Sequence, residues 1–128
     1  MSKNALSFVI THGNLAEALV EVSNLLTSPS VETYTYSNSV KSLDDLSAEI
    51  SGIIEQHNPD NLVFFVDLMG GSCWMLINRL KQKYPHARLL AGVNIPMLVS
   101  FQINYSNLSW DELMEKTLSD GKKGIISR

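Results

Sequence analysis

The chain opens with a short apolar run from Ala5 to Ile10, broken by Thr11, His12 and Gly13. A run this brief, bounded by a glycine turn, predicts a strand. From Leu15 the apolar residues fall at Leu15, Ala18, Leu19, Val22, Leu25 and Leu26. That is the i, i+3, i+4, i+7 spacing of one helix face, and Pro29 stops it. The stretch from Val31 to Tyr36, VETYTY, is β-branched and aromatic but more polar, as suits an edge strand. Ser42 with Asp45 resembles a capping box, and Leu43, Leu46, Ile50, Ile53 and Ile54 continue as a helix face. After a turn at Asn58, Pro59 and Asp60, the segment LVFFV from Leu62 to Val66 is continuously apolar, as a strand covered on both faces would be.

Asp67 ends that run, and Gly70, Gly71 and Ser72 turn the chain into a helix whose inward face carries Cys73, Leu76, Ile77, Leu80 and Tyr84. A fourth strand is predicted from Arg88 to Val93, and Pro96 opens a helix through about Tyr105. Ser109 and Glu112 form a second capping box before Trp110, Leu113, Met114, Thr117 and Leu118. Gly121 and Gly124 are candidate stops, leaving Ile125 and Ile126 as a tiny last strand. Strands alternating with helices predict a single α/β domain over residues 1–128. Its doubly wound, mostly parallel four-stranded sheet carries helices on both faces.

Composition narrows the function classes. The 128 residues are 45% apolar and 18% charged, with a net charge of −3, so a packed core is expected and disorder is not. The few basic residues are scattered, which disfavours nucleic acid as a partner. The single cysteine, Cys73, excludes an internal disulfide and a cysteine-rich metal site. No signal-peptide core and no span of about 20 apolar residues occurs, so a cytoplasmic location is expected.

In such sheets chemistry gathers beyond the carboxyl ends of the strands. The first strand ends at Thr11, His12 and Gly13, the third at Asp67 and the fourth at Asn94. If the first and third strands are neighbours, His12 and Asp67 meet. A carboxylate holding one imidazole nitrogen fixes the tautomer and leaves the other bare and nucleophilic. The Gly70-Gly71-Ser72 turn lets backbone N–H groups at a helix start approach an anion, and a phosphoryl group fits both donors and dipole. Without GxxxxGK[ST], one phosphoryl group is expected rather than a triphosphate. Thr11 could add a hydroxyl near His12. His57 suits a helix end and His86 a solvated loop, and no set of residues has metal-ligand spacing along the sequence. Cys73 is either a small buried hydrophobe or a thiol that His12 could activate.

VITHGNLAEAL, VDLMGGS and AGVNIPML resemble, in order and spacing, three segments of the mannose-type IIA proteins of the bacterial phosphoenolpyruvate-dependent sugar phosphotransferase system. The similarity runs over nearly the whole chain. It implies a cytoplasmic homodimer of α/β subunits, with a short C-terminal strand exchanged and running antiparallel in the partner's sheet. It implies that His12 accepts a phosphoryl group from the phosphocarrier HPr and passes it to a IIB domain, without a cofactor. Asp67 would orient the imidazole, and Gly70, Gly71 and Ser72 would hold the phosphoryl group. The membrane is then reached only through the permease, where sugar choice is expected to lie. The family usually reads GGSPxN, whereas here Cys73 replaces the proline and Met75 the asparagine. That departure keeps open a regulatory module of the same fold, phosphorylated on His12 without sugar transport.

Overall fold

Alternation along two central strands decides the layering. In β1 (Ala5–Thr11), Leu6, Phe8 and Ile10 face one way and Ser7, Val9 and Thr11 the other, and all of these are buried. In β3 (Asn61–Val66), Leu62, Phe64 and Val66 join the first set while Val63 and Phe65 join Val9. Both strands are therefore covered on both faces, which is why LVFFV carries no polar residue. Each fully buried side chain of this kind contributes about 2 kcal/mol.

The computed structural model describes residues 4–128. After β1 come α1 (Leu15–Leu26), β2 (Thr33–Ser37), α2 (Leu43–His57), β3, α3 (Gly71–Lys83), β4 (Arg88–Ala91), α4 (Ile95–Asn104) and α5 (Trp110–Lys123). The four described strands form one sheet in the order β2-β1-β3-β4, every pairing parallel. Helices α2 and α3 supply Leu46, Ile50, Ile54, Leu76, Ile77 and Leu80 to one face. The other face is covered by Ala16 of α1, Met97, Leu98 and Phe101 of α4, and Leu113 and Met114 of α5. The expected doubly wound α/β fold is present, and its switch point lies between β1 and β3.

Local signals placed most boundaries. Ser109 and Glu112 form a reciprocal capping box. Ser42 Oγ accepts from the Asp45 N–H at 3.1 Å, but only that half of a box forms, because Asp lacks the methylene by which Glu reaches back. Asn58 closes α2 in the left-handed conformation. Asn94 Oδ1 accepts from the Met97 N–H at 2.9 Å, capping α4, while its Nδ2 donates to the Gly121 carbonyl at 3.1 Å. Gln102 anchors the entry to the edge strand β2, accepting from the Ser30 and Val31 N–H groups and donating to the Val31 carbonyl.

Two expectations need correction. The apolar stripe read on α1 does not face the sheet: Leu15, Val22, Leu25 and Leu26 are exposed, while Ala16 and Ser23 are buried and Leu19 and Val20 pack beside them. Thr11 Oγ1 accepts from the Ala16 N–H at 2.7 Å, which turns Ala16 inward and sets the rotation of the helix. Gly121 does not stop α5 but lies inside it, since a Cβ there would come within 3.0 Å of Met97 Cε. A bare backbone at this point lets α5 approach α4. The helix stops at Gly124 instead; the strand expected at Ile125 and Ile126 was one exchanged in a dimer, and in the single chain both residues lie outside helix and sheet.

Asn94 thus joins two helices, and Asn94→Ala should destabilise the fold by about 2 kcal/mol, from the lost cap and the unpaired Gly121 carbonyl. Urea unfolding measures this; a loss below about 0.5 kcal/mol would show that water replaces both bonds.

Candidate functional site

The in-register pairing of β1 with β3 sets Ile10 beside Val66. The residues that leave the sheet next, His12 and Asp67, consequently emerge side by side at the switch point. Two hydrogen bonds converge on one carboxylate oxygen: the His12 backbone N–H donates to Asp67 Oδ2 at 3.0 Å, and His12 Nδ1 lies 2.9 Å from the same atom. Asp67 Oδ1 accepts from the Leu68 N–H at 2.9 Å. Burial alone pushes the Asp67 carboxyl up. The donors from the His12 backbone and ring, with the Leu68 N–H, outweigh that and leave it below the usual carboxylate value. An ionised Oδ2 can only accept, so Nδ1 carries the proton and Nε2 is the bare nitrogen. The His12 side chain is 42% exposed and that of Asp67 12%, so the carboxylate is sheltered while the ring faces outward.

Nε2 faces the start of α3. A Cβ placed on Gly71 would lie 3.4 Å from Nε2 and 3.6 Å from Cε1, and Gly71 has φ +77°, where only glycine is comfortable. Helices α2, α4 and α5 each begin with a side-chain cap, whereas Gly70 gives α3 none. Its first amide donors are left for an incoming anion. Ser72 is half-buried in this first turn, and its Oγ accepts from Asn38 Nδ2 at 2.9 Å. Because Ser72 is the acceptor in that contact, its hydroxyl proton can still be donated, to the Cys73 sulfur beside it or to a ligand. Asn38 was not foreseen from the sequence. It sits beyond the edge strand, 34 positions from Ser72, and its backbone N–H donates to the Thr11 carbonyl at 3.1 Å.

The structure therefore gathers His12, Asp67, Gly71 and Ser72 at one strand-end crevice, with Gly70 opening the turn. Thr11 belongs to it differently from the expectation. Its side chain is fully buried and its oxygen is committed to the Ala16 N–H, so it supports the loop from beneath instead of lining the ring's outer face. Asn94 is a helix cap, His57 bonds the Ile53 carbonyl at the end of α2, and His86 is exposed in a loop.

Cys73 is fully buried, although its Sγ comes within 3.9 Å of His12 Nδ1. Burial pushes the thiol up to about 11; the Asp67 charge adds to this, and the Ser72 hydroxyl opposes it. A thiolate nucleophile at neutral pH is not supported. Cys73 Sγ, His12 Nδ1 and Asp67 Oδ2 nevertheless lie within 4.8 Å of one another, a cluster that sequence spacing did not reveal.

Three apolar side chains, Leu68 and Met69 just after Asp67 and Met75 in the first turns of α3, are exposed. An open cleft of about 370 Å³ flanks the crevice between α1 and the loop after β2, yet includes neither His12 nor Asp67. The His12 ring thus stands on an open face. Among the described residues no helix is long and apolar enough to cross a membrane.

A family profile for the IIA component of the fructose phosphotransferase system, EIIA-man, matches residues 8–118. The chain belongs to the mannose-type IIA family of the sugar phosphotransferase system. The mannose-specific EIIAB component of Escherichia coli strain K12 is 26% identical over 121 residues, covering 90% of this chain and 36% of that protein. The chain therefore spans about a third of the length of that relative. A sorbose-specific EIIA component from Klebsiella pneumoniae is 27% identical over 71 residues, covering 56% of this chain and 53% of its own. Among solved structures, the EIIA component from Streptococcus agalactiae superposes with a TM-score of 0.85 at 17% identity, over 96% of both chains. That similarity shows the shared fold. IIA components are proteins of phosphotransferase type, and the bare imidazole described above lies within the matched residues.

The lowered Asp67 carboxyl has a pH consequence. It stabilises the folded chain above the ordinary carboxylate range, and that contribution disappears as pH falls through the lowered folded value. Between pH 7 and pH 3 the wild type should lose more stability than Asp67→Asn, whose amide does not titrate. Parallel urea curves compare the two; equal losses would mean that the ring and backbone donors do not favour the ionised form.

Proposed function

We propose that this chain accepts a phosphoryl group on His12 Nε2 from the phosphohistidine of HPr and passes it to a histidine of a IIB domain. The bare Nε2, aligned by Asp67 over the uncapped start of α3, is the observation that carries the reading. Nε2 attacks phosphorus in line while the P–N bond to the donor histidine breaks, its electron pair returning to the donor ring. Charge on the equatorial oxygens is met by the α3 amide donors and the Ser72 hydroxyl, which Asn38 orients. As the ring gains positive character, the Asp67 carboxylate offsets it through Nδ1. Onward transfer is the same step reversed onto the IIB histidine.

Exposed Leu68, Met69 and Met75 give a protein donor an apolar surface to dry around the reacting atoms. The IIB acceptor follows from the family and from the A and B components in the name of the mannose-specific relative. Sugar specificity then belongs to the permease, and the cytoplasm is where these partners would be met.

Phosphorylated HPr should label the chain with an acid-labile, alkali-stable phosphohistidine, and His12→Ala should abolish the label. Gly71→Ala puts a methyl group beside Nε2 and should slow labelling at least about tenfold; Asn38→Ala, which frees the Ser72 rotor, should slow it about tenfold. An unlabelled wild type would end this reading. Labelling with no passage to any IIB domain would favour the regulatory alternative, for which the loss of the usual asparagine at Met75 is the motive.

A homodimer is supported by apolar surface the single chain leaves uncovered. Leu25 is 80% exposed, Leu26 62%, Ile125 80% and Ile126 71%. Exchange of the C-terminal segment would give Ile125 and Ile126 the strand partners they lack here. Light scattering should give twice the chain mass, with Ile125→Asp/Ile126→Asp shifting it toward monomer; a wild-type monomer at micromolar concentration would remove the proposal.

A further inference from the structure

The cluster of His12 Nδ1, Asp67 Oδ2 and Cys73 Sγ has no counterpart where proline occupies the position of Cys73, and phosphoryl transfer as described makes no use of the thiol. From the geometry we infer that these three atoms form a binding site for a thiolate-seeking divalent cation of the zinc class. Zinc bonds of about 2.0 Å to nitrogen or oxygen and about 2.3 Å to sulfur, at tetrahedral angles, place N and O about 3.3 Å apart and N and S about 3.5 Å apart. The observed separations are 2.9 Å and 3.9 Å, with all three atoms inside 4.8 Å. Each of these two distances needs to change by about 0.4 Å, within the reach of small side-chain rotations. The ligand set, one imidazole, one carboxylate and one thiolate, suits zinc rather than magnesium or calcium.

Charge favours the cation as well. Asp67 beside Sγ opposes a lone thiolate, but carboxylate and thiolate together neutralise a divalent ion set between them. The step balances as loss of one proton, from Cys73 to solvent, for each ion bound.

Binding would alter the ring in a way that matters only if His12 is a phosphoryl acceptor, so this consequence rests on the function proposed above. To ligate, Nδ1 must present its lone pair, and the proton it directed at Asp67 then resides on Nε2. The nitrogen that should attack phosphorus is thereby protonated. A bound cation therefore opposes uptake of a phosphoryl group through a change of tautomer, with no movement of the fold.

Cobalt(II) titrated into the full chain reports the site through the thiolate-to-cobalt charge-transfer band. One equivalent should saturate the band, zinc should displace it, Cys73→Ala should abolish it, and His12→Gln and Asp67→Asn should each weaken binding at least tenfold. Absence of a band in the wild type overturns the inference, as does unchanged affinity in His12→Gln, a substitution at a half-exposed side chain that leaves the core alone. In a second arm, purified phosphorylated HPr is offered with and without zinc. Wild-type labelling should fall more than tenfold with zinc, while Cys73→Ala should stay within twofold of its own zinc-free rate. A cobalt band with no labelling under any condition removes the phosphoryl reading and keeps the ion site. Labelling insensitive to zinc, with no band, does the opposite.

Discussion

The pairing of β1 with β3 is the constraint on which the site depends. His12 and Asp67 lie 55 positions apart, and their ring–carboxylate contact of 2.9 Å is the end product of strand register. Register in turn is held by side chains that must be apolar on both faces, Phe8 and Phe64 on one side, Val9 and Phe65 on the other. A slip by one residue would turn each set to the wrong layer and carry Asp67 away from the ring. Core packing and chemistry are thus one specification read at two ends of the same strands.

Much of this was legible in the sequence because it is local. Continuous apolar runs gave the central strands, VETYTY the edge strand, and Ser109 with Glu112 a helix start that the structure reproduces as a reciprocal box. His12 and Asp67 could be nominated because each ends a strand in an α/β pattern. What periodicity could not supply was the rotation of α1. Its strongest apolar stripe points away from the sheet, because the buried Thr11 hydroxyl seizes the Ala16 amide. The apolar spacing of α1 alone contains no trace of that bond.

The other surprises share a physical origin. Asn38 reaches Ser72 across 34 positions, and Gln102 holds Ser30 and Val31 across 72 and 71. Single polar residues meeting across loops leave no periodic signature, so only the folded chain reveals them. Gly121 looked like a helix stop because glycine often is one. Its use here is the removal of a side chain where α5 crosses Met97, a requirement set by a different helix.

The site also shows how local stability is relinquished where, under the proposed function, an anion enters. Ser42, Asn94 and Ser109 close the starts of their helices with side-chain oxygens, while α3 begins at two glycines, with no cap. An acceptor at Gly70 would strengthen the helix and at the same time occupy the donors that a phosphoryl oxygen needs. Cys73, directly inside this turn, is buried, and its high proton affinity disfavours a thiolate beside His12. Nucleophilicity in the crevice is therefore concentrated at Nε2, the one strong nucleophile there that is neither protonated nor turned toward the core.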